Sequence, residues 1–498
     1  MTHSEVDYAD VQGLVRFGYK RMTKASYALV RVRNAAAARA WLRSAPVTNA
    51  VDMKPPPTTA LQVAFTAPGL RALGVSESVI ADFSLAFRAG MTQEYRARLL
   101  GDVESNAPEY WDWGGPANEP HLLVMFFAEP EHFDSFVQSF TGDTWREAFT
   151  EPHWLKTEDL DGNEPFGFAD GISQPRIDWE QQREPPGIEY DYTNVVALGE
   201  FLLGYRNEYG KITDRPLLDP DAASGELLPA VDAPEKKDLG RNGTYLVIRQ
   251  LEQDVRKFWQ FIYQQAGGVE PEAQKLAAAM MGRTLDGVPL VPVQEQPIPG
   301  IEPKEKLKNQ FTFDQDPAGA RCPFGAHVRR ANPRNTDFPG RPASFLQKLI
   351  TMLGFGTKGF RDDLMSSVRF HRILRRGRES GPELKPEHAL APVPPNDPKR
   401  GLHFICLNAN ISRQFEFLQN AWIASTKFSG LTEESDPLLG NRQALPGCPV
   451  TSNFTLQKDG DLRRRVTGLP QFVTVRGGAY FFLPSLRALR YFAGAGDV

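Results

Sequence analysis

The sequence LHFICLN, from Leu402 to Asn408, is a short apolar run of the kind that forms a buried β-strand. Four large apolar side chains then recur at helical spacing, and these are Ile411, Phe415, Leu418 and Trp422. Residues three and four positions apart share one face of a helix. The stretch therefore predicts a strand followed by an amphipathic helix.

The same strand–helix unit occurs three more times along the chain. Its strand-like runs are SYALVRV (Ser26 to Val32), HLLVMFFA (His121 to Ala128) and GTYLVIRQL (Gly243 to Leu251). Two units fall in the first third of the chain and two in the remainder. This pattern predicts an α+β fold of two ferredoxin-like domains, each an antiparallel sheet with peripheral helices. We expect the N-terminal domain at 1–164 and the C-terminal domain, with long loop insertions, at 165–498.

The overall composition is that of a globular protein. Hydrophobic residues make up 41% and charged residues 24% of the 498 residues, which rules out a mostly disordered chain. The net charge is −4, so no global basic field indicates a nucleic-acid or membrane-surface partner. No run of about 18 apolar residues predicts a membrane span.

Cysteine usage and the first residues bear on the compartment. Cys322, Cys406 and Cys448 are too few and too scattered for a disulfide framework or a thiolate metal site. The opening MTHSEVDYADVQG is acidic and lacks the apolar core of a secretory signal. We therefore expect a cytoplasmic protein.

The segment EPFGFADGISQPRI, from Glu164 to Ile177, sets a carboxylate among glycines. Gly167 and Gly171 bracket Asp170 and permit close approach of the backbone to a flat ligand. The alternative is a surface turn with a capping Asp, since turns favour the same residues.

The segment RCPFGAHVRRANPRN, from Arg321 to Asn335, places His327 among small residues. Neutral imidazole is the commonest metal ligand, and a single proximal His holds the iron in many haem proteins. The arginines that follow, Arg329, Arg330 and Arg334, are candidates to bind the carboxylates of such a cofactor. The alternative is a hydrogen-bonded core histidine with arginines on a solvated face.

The segment VRFHRILRRGRESGPE, from Val368 to Glu383, carries five arginines between Arg369 and Arg378. One arginine turned inward can stabilise charge that develops on a substrate oxygen. The alternatives are a basic strand edge and a nucleic-acid patch, and the chain's overall charge disfavours the patch.

Together these three segments resemble the dye-decolourising peroxidase family. GFADG matches that family's GxxDG loop, the AH..R..NPR stretch resembles its proximal haem-ligand motif, and RILRRG resembles its distal arginine motif. VQGLV, GEFLLGYRNEYG, GTYLVIRQL, GLHFICLN and FVTVRGGAYFFLP extend the resemblance over nearly the whole chain. The large loops look like those of the longer, loop-rich subgroup.

The resemblance implies two ferredoxin-like domains with haem b held mainly by the C-terminal one. It implies a peroxidase that oxidises dyes and phenolics with hydrogen peroxide through an oxoferryl intermediate. Asp170 and Arg375 match the distal catalytic pair, with Arg376 as an alternative to Arg375. The matching cofactor-binding residues are His327 as iron ligand, Arg334 beside a propionate, Leu402 and Phe404 in the distal pocket, Gly171 in the loop, and Asp436 as acceptor from the second nitrogen of His327.

The expected partners are hydrogen peroxide and small organic reductants, with no nucleic acid and no membrane, in a monomer or homodimer. The main alternative is a haem-binding or haem-delivery protein with little turnover. The sequence also leaves open a structural protein without haem and a nucleic-acid binder that uses the arginine run.

Overall fold

The computed structural model describes residues 5–181, 195–293, 308–309, 311–313, 315–334, 367–444, 450–458 and 460–494. Its strands, numbered in chain order, are β1 Lys24–Val30, β2 Thr59–Phe65, β3 Leu122–Ala128, β4 His153–Lys156, β5 Arg176–Asp178, β6 Val195–Ala197, β7 Leu217–Leu218, β8 Lys237–Asp238, β9 Thr244–Gln253, β10 Leu374–Arg375, β11 Arg378–Ser380, β12 Gly401–Asn408, β13 Phe454–Leu456, β14 Arg464–Val466 and β15 Val473–Leu483.

The described α-helices lie around these strands. They are Ala35–Ser44, Ala67–Ala72, Glu77–Ala81, Leu85–Ala89, Glu94–Leu100, Phe133–Phe140, Asp143–Ala148, Val255–Gln265, Glu270–Met281, His327–Ala331, Pro386–Ala389 and Leu486–Gly494. None of the described helices combines the length and the apolar character needed to cross a bilayer.

Nine strands form one antiparallel sheet that contains the ferredoxin-like pattern twice. The order is β10-β12-β9-β15-β2-β3-β1-β4, with β11 also paired to β12. The first half reads β4-β1-β3-β2 and the second reads β15-β9-β12-β10, which is the same order of strands in each. The predicted α+β fold is confirmed. The two halves of this sheet join where Phe482 of β15 pairs with Phe65 of β2, and the domain boundary at 164/165 stays a prediction.

Both faces of this sheet are covered, which explains why its central strands are apolar on both sides. Along β9, Tyr245 and Val247 pack into one hydrophobic core, and Leu246 and Ile248 pack into a second core on the other face. Because side chains alternate between the two faces of a strand, each central strand contributes residues to both hydrophobic cores.

The helix predicted after β12 has a different geometry from the one expected. The chain forms two π-helical stretches, Ser412–Glu416 and Leu418–Ile423. The amide of Glu416 donates to the carbonyl of Ile411 at 2.9 Å, a five-residue step. The α-helical prediction was wrong because long-range contacts hold the first turn: Gln414 Nε2 donates to the Glu200 carbonyl at 2.9 Å and to the Arg372 carbonyl at 2.6 Å.

A buried ion pair ties this π-helix to both halves of the molecule. Arg96, in the Glu94–Leu100 helix, donates to both carboxylate oxygens of Glu416, at 2.5 and 2.6 Å. The Tyr480 hydroxyl, on β15, donates to Glu416 at 2.9 Å, and the Ser412 hydroxyl does so at 2.9 Å. One carboxylate therefore satisfies the buried donors of Arg96 and Tyr480 and the Ser412 hydroxyl, which come from three elements.

Replacing Glu416 with Ala leaves Arg96 charged and unpaired in the interior. We expect the free energy of unfolding to fall by about 3–5 kcal/mol, the usual cost of breaking a buried pair from one side. Denaturant unfolding followed by circular dichroism measures this. The control is Glu94→Ala, whose exposed partner is Arg98 at 3.7 Å, and which should change stability by no more than about 0.5 kcal/mol. Equal losses in the two variants would contradict the assignment.

Candidate active site

A cavity of about 240 Å³ lies against one face of β9, β12 and β15. The strand registers pair Leu402 with Leu251 and Phe404 with Arg249, and they pair Val475 with Leu251 on the other side. Side chains two residues apart on a strand point the same way, so all five line the cavity. Leu402 and Phe404 thus lie where the sequence predicted a pocket wall.

The glycine-rich loop brings Asp170 to the cavity wall. Gly167 and Gly171 have φ values of +97° and +75°, a left-handed backbone that favours glycine. Arg375, at the end of β10, donates from Nη1 to Asp170 Oδ1 at 3.0 Å. The Asp170 and Arg375 side chains keep 29% and 32% of their surface exposed, and both line the cavity. The pair is therefore accessible to a small ligand.

Two adjacent arginines on this strand point in opposite directions, which decides between the two candidates. Arg375 reaches the cavity, whereas Arg376 donates from Nε to the Leu14 carbonyl at 2.8 Å and from Nη2 to the Val15 carbonyl at 2.9 Å. Arg378 similarly donates to the Met22 carbonyl at 2.7 Å. The arginine run therefore holds the N-terminal segment and presents Arg375 to the cavity.

The charge state of Asp170 follows from its neighbours. Burial alone raises the pKa of this carboxyl group, but the Arg375 guanidinium and the Gly171 amide favour the charged form and hold the pKa below its usual value. Asp170 is therefore a carboxylate even in mildly acidic solution.

His327 begins the His327–Ala331 helix and lines the same cavity. Its Nδ1 lies 2.9 Å from Asp436 Oδ2. Asp436 is fully buried, while 23% of the His327 side chain remains exposed. Nε2 makes no hydrogen bond with any described residue, so the ring has one nitrogen engaged and one available.

Backbone amides hold the Asp436 carboxylate in place to accept this hydrogen bond. Its other oxygen, Oδ1, accepts from the amides of Leu438 and Leu439 at 2.9 and 2.8 Å. Burial raises the pKa of Asp436, but the interaction with His327, the Leu439 amide and the charge of Arg330 together hold it below the usual value. Burial lowers the pKa of His327, and the charge of Asp436 outweighs that effect and raises it. The contact expected between these two residues is present.

Arg334, the residue that the resemblance placed beside a propionate, donates to backbone carbonyls in this structure. It is buried, and its Nη1 donates to the carbonyls of Asn309 and Phe311 at 3.1 and 3.0 Å. It is not among the residues that line the cavity, although the charges of the cavity residues Arg372 and Arg283 act on it, and its contact with a propionate stays a prediction. Arg329 and Arg330 are also buried away from the cavity: Arg329 binds Asp316 at 3.0 Å.

Besides Arg249 on β9, two arginines that the sequence did not single out line the cavity, and these are Arg283 and Arg372. Arg283 donates to Ser173 Oγ at 2.9 Å and to the Gly287 carbonyl at 2.8 Å. The guanidinium of Arg372 makes no hydrogen bond or ion pair within the described part of the chain, and burial with the nearby charge of Arg375 lowers the pKa of Arg372 to about 10. Arg372 belongs to the arginine run already noted, but only the tertiary structure shows that it is one of the arginines of this run that line the cavity.

Glu164 is a further cavity residue that the sequence did not reveal. It accepts from the amides of Phe166 and Phe168 at 3.1 and 3.0 Å and from Gln253 Nε2 at 2.7 Å. Burial raises the pKa of Glu164 to about 7. These bonds fold the turn that leads to Asp170 and attach it to β9.

The residues present fit a flat, largely apolar cofactor that carries a metal and acidic groups. The floor is apolar at Leu402, Phe404 and Leu251. His327 offers one imidazole nitrogen, and the unpaired Arg372 guanidinium needs an anion to offset its charge. A haem has these three properties, and no described residue meets the need of Arg372.

Comparison with known proteins agrees with this geometry. No protein-family profile matches the chain. The chain is 27% identical to the dye-decolorizing peroxidase msp1 of Mycetinis scorodonius, over 97% of this chain and 87% of that protein. It is 31% identical to the multifunctional dye peroxidase DyP2 of Amycolatopsis sp., over 66% of this chain and 61% of that protein.

Solved structures share the fold over nearly the full length. A fungal DyP-type peroxidase from Auricularia auricula-judae superposes with a TM-score of 0.74 at 24% identity, covering 99% of this chain and all of that one. A dye-decolorizing peroxidase in complex with 2,6-dimethoxyphenol gives a TM-score of 0.71 at 24% identity, covering 98% and 100% of the two chains.

Replacing Arg375 with Gln should raise the pKa of Asp170. Burial would then act without the opposing guanidinium, so the carboxyl group would protonate at a higher pH than in the wild type, where its pKa lies below the usual ~3.9. Infrared difference spectra of the protonated carboxyl band, with Asp170→Asn as reference, measure the change. Arg376→Gln, which removes the neighbouring guanidinium outside the cavity, is the control. An unchanged pKa in Arg375→Gln would show that the pair does not control Asp170.

Proposed function

We propose that this chain binds haem b through His327 and uses Asp170 and Arg375 on hydrogen peroxide. The chain belongs to the dye-decolourising peroxidase family and is a haem-dependent peroxidase that oxidises organic reductants. The supporting observation is that one cavity is lined by the Arg375–Asp170 pair and by His327, whose Nδ1 lies against the buried Asp436 behind it. Each pair joins distant segments of the chain.

His327, supported by Asp436, is the residue that would hold the iron of the cofactor. Nδ1 donates its hydrogen to Asp436, which selects the tautomer with its free electron pair on Nε2. The same bond fixes the plane of the ring and increases its basicity. Bound haem supplies the redox chemistry, and the protein supplies its orientation and electrostatic environment.

Asp170 and Arg375 act on the peroxide. The Asp170 carboxylate accepts the proton of one peroxide oxygen and donates it to the other, which leaves as water. The Arg375 guanidinium stabilises the negative charge that develops on the departing oxygen. Because Arg375 keeps Asp170 ionised, this base works in acid, where an unperturbed imidazole with a pKa of ~6.5 is protonated.

Arg372 is our candidate to bind a haem propionate. A carboxylate beside this guanidinium would form a charge-assisted hydrogen bond and would end the unfavourable burial of an unpaired charge. This assignment replaces the propionate role that the resemblance suggested for Arg334, because Arg334 Nη2 already donates to Asn309 Oδ1 at 2.7 Å.

We also propose a reducing compartment, consistent with the cytoplasmic location expected from the sequence. Cys322 and Cys406 are buried free thiols, and burial raises the pKa of Cys322 to about 12. Cys448 lies outside the described residues. The choice between monomer and homodimer stays a prediction.

Three variants test the roles of the catalytic pair and the iron ligand. Asp170→Asn should lower peroxide-dependent oxidation of 2,6-dimethoxyphenol by about 10²–10⁴-fold, and Arg375→Gln by about 10²–10³-fold, while both keep the haem absorption band. His327→Ala should lose bound haem. Arg376→Gln is the matched control and should retain turnover.

The main alternative function makes the opposite forecast. A haem-delivery protein would bind haem through His327 yet show negligible turnover in the wild type. Full activity in Asp170→Asn would overturn the role of that carboxylate.

Replacing Arg372 with Gln should weaken haem binding. A hydrogen bond to a charged group contributes about 1.5–3 kcal/mol, which corresponds to a roughly 10–150-fold increase in Kd. Haem titration of the apoprotein measures it, and Arg372→Lys should lose less because the charge remains. If Arg334→Gln weakens haem binding and Arg372→Gln leaves it unchanged, Arg334 is restored as the propionate partner.

A further inference from the structure

Two guanidinium groups, that of the buried Arg330 and that of the half-buried Arg442, lie around Asp436 without a carboxylate of their own. Arg330 donates to the carbonyls of Trp422, Ser425 and Glu434 at 2.9, 2.8 and 2.8 Å. In the described part of the chain, neither guanidinium makes an ion-pair contact. Two positive charges thus lie near a single carboxylate that also binds His327.

Arg442 donates to groups of Asp436 and of its two neighbours in the chain. Its Nη1 donates to Ser435 Oγ at 2.8 Å, and its Nη2 donates to the carbonyls of Asp436 and Pro437 at 3.0 and 2.6 Å. The clamp holds the peptide while the carboxylate points at His327. Arg442 therefore sets both the position of Asp436 and the potential around it.

A second carboxylate lies near Asp436 and shares one of the two guanidinium groups. Glu434 is the other buried carboxylate here, and its Oε2 accepts from the Thr455 amide at 3.0 Å. The charge of Asp436 acts on both Arg330 and Arg442, whereas Glu434 acts on Arg330. Arg330 also favours the charged form of Asp436, but Arg330 is shared with Glu434, whereas Asp436 is the one carboxylate among the described residues that acts on Arg442.

We propose that Arg442 is a positioning residue that offsets the charge of Asp436 and so keeps the reduction potential of the haem iron higher than the His327–Asp436 pair alone would set it. The inference rests on the proposed function, since it requires haem on His327. An ionised partner strengthens electron donation by a ligating imidazole. A nearby positive charge weakens that effect and directly favours the reduced iron, which carries one positive charge less.

Both effects of the positive charge raise the reduction potential, so removing the charge should lower it. Haem-loaded Arg442→Gln should show a more negative ferric/ferrous potential by spectroelectrochemical titration. Its iron–histidine stretching frequency in the ferrous state, measured by resonance Raman scattering, should rise. Arg442→Lys keeps the charge but cannot bind the same three acceptors, and both of its values should stay close to wild type.

Two further variants separate electrostatics from loss of structure. Arg378→Gln removes a guanidinium that binds the Met22 and Tyr19 carbonyls outside the cavity, and its potential should match the wild type. In an Asp436→Asn background, Arg442→Gln should no longer change the stretching frequency, because the residue acts through that carboxylate.

The outcomes distinguish this inference from the proposed function. Wild-type protein that binds no haem would overturn both. Haem bound through His327 with an unchanged or more positive potential in Arg442→Gln would overturn the inference alone, as would equal shifts in the Lys and Gln variants. If Arg442→Gln does not retain haem, Arg442→Met is measured instead, and a potential that is not more negative overturns the inference.

Discussion

The antiparallel pairing of β12 with β9 and β10 is the constraint on which the cavity depends. Its register places Leu402, Phe404 and Arg375 on one face, and it turns His403 to the other face, where His403 Nε2 lies 3.0 Å from the Lys156 carbonyl. A slip of one residue would exchange these faces, because side chains alternate along a strand. The same register places both the apolar floor of the cavity and the guanidinium of Arg375.

Buried charge is the second organising constraint, because an isolated ion in the interior is costly. The chain satisfies most of its buried arginines with carboxylates or carbonyls, as Arg96 does with Glu416 and Arg376 with the Leu14 carbonyl. Arg372 and the Arg375–Asp170 pair remain accessible to the cavity. The contrast identifies the groups available for a ligand among many similar side chains.

The sequence predicted the fold well and the site in part. All four strand–helix units are present, and the sheet repeats the ferredoxin-like order twice. Asp170, Arg375, His327 and Asp436 meet in two contacts as expected, although their catalytic roles stay predictions. The helix after β12 is π rather than α, and Arg334 binds a loop, because contacts from distant segments decided both.

The sequence by itself determined where strands and helices form and which residue types are available, since apolar spacing and glycine content act over a few positions. Only the tertiary structure decided which of the clustered arginines faces the cavity and which ones hold loops. The decisive contacts join residues 109 positions apart for His327 with Asp436 and 205 apart for Arg375 with Asp170. Such pairings depend on strand register and on the cost of burying charge, and neither is contained in a local pattern.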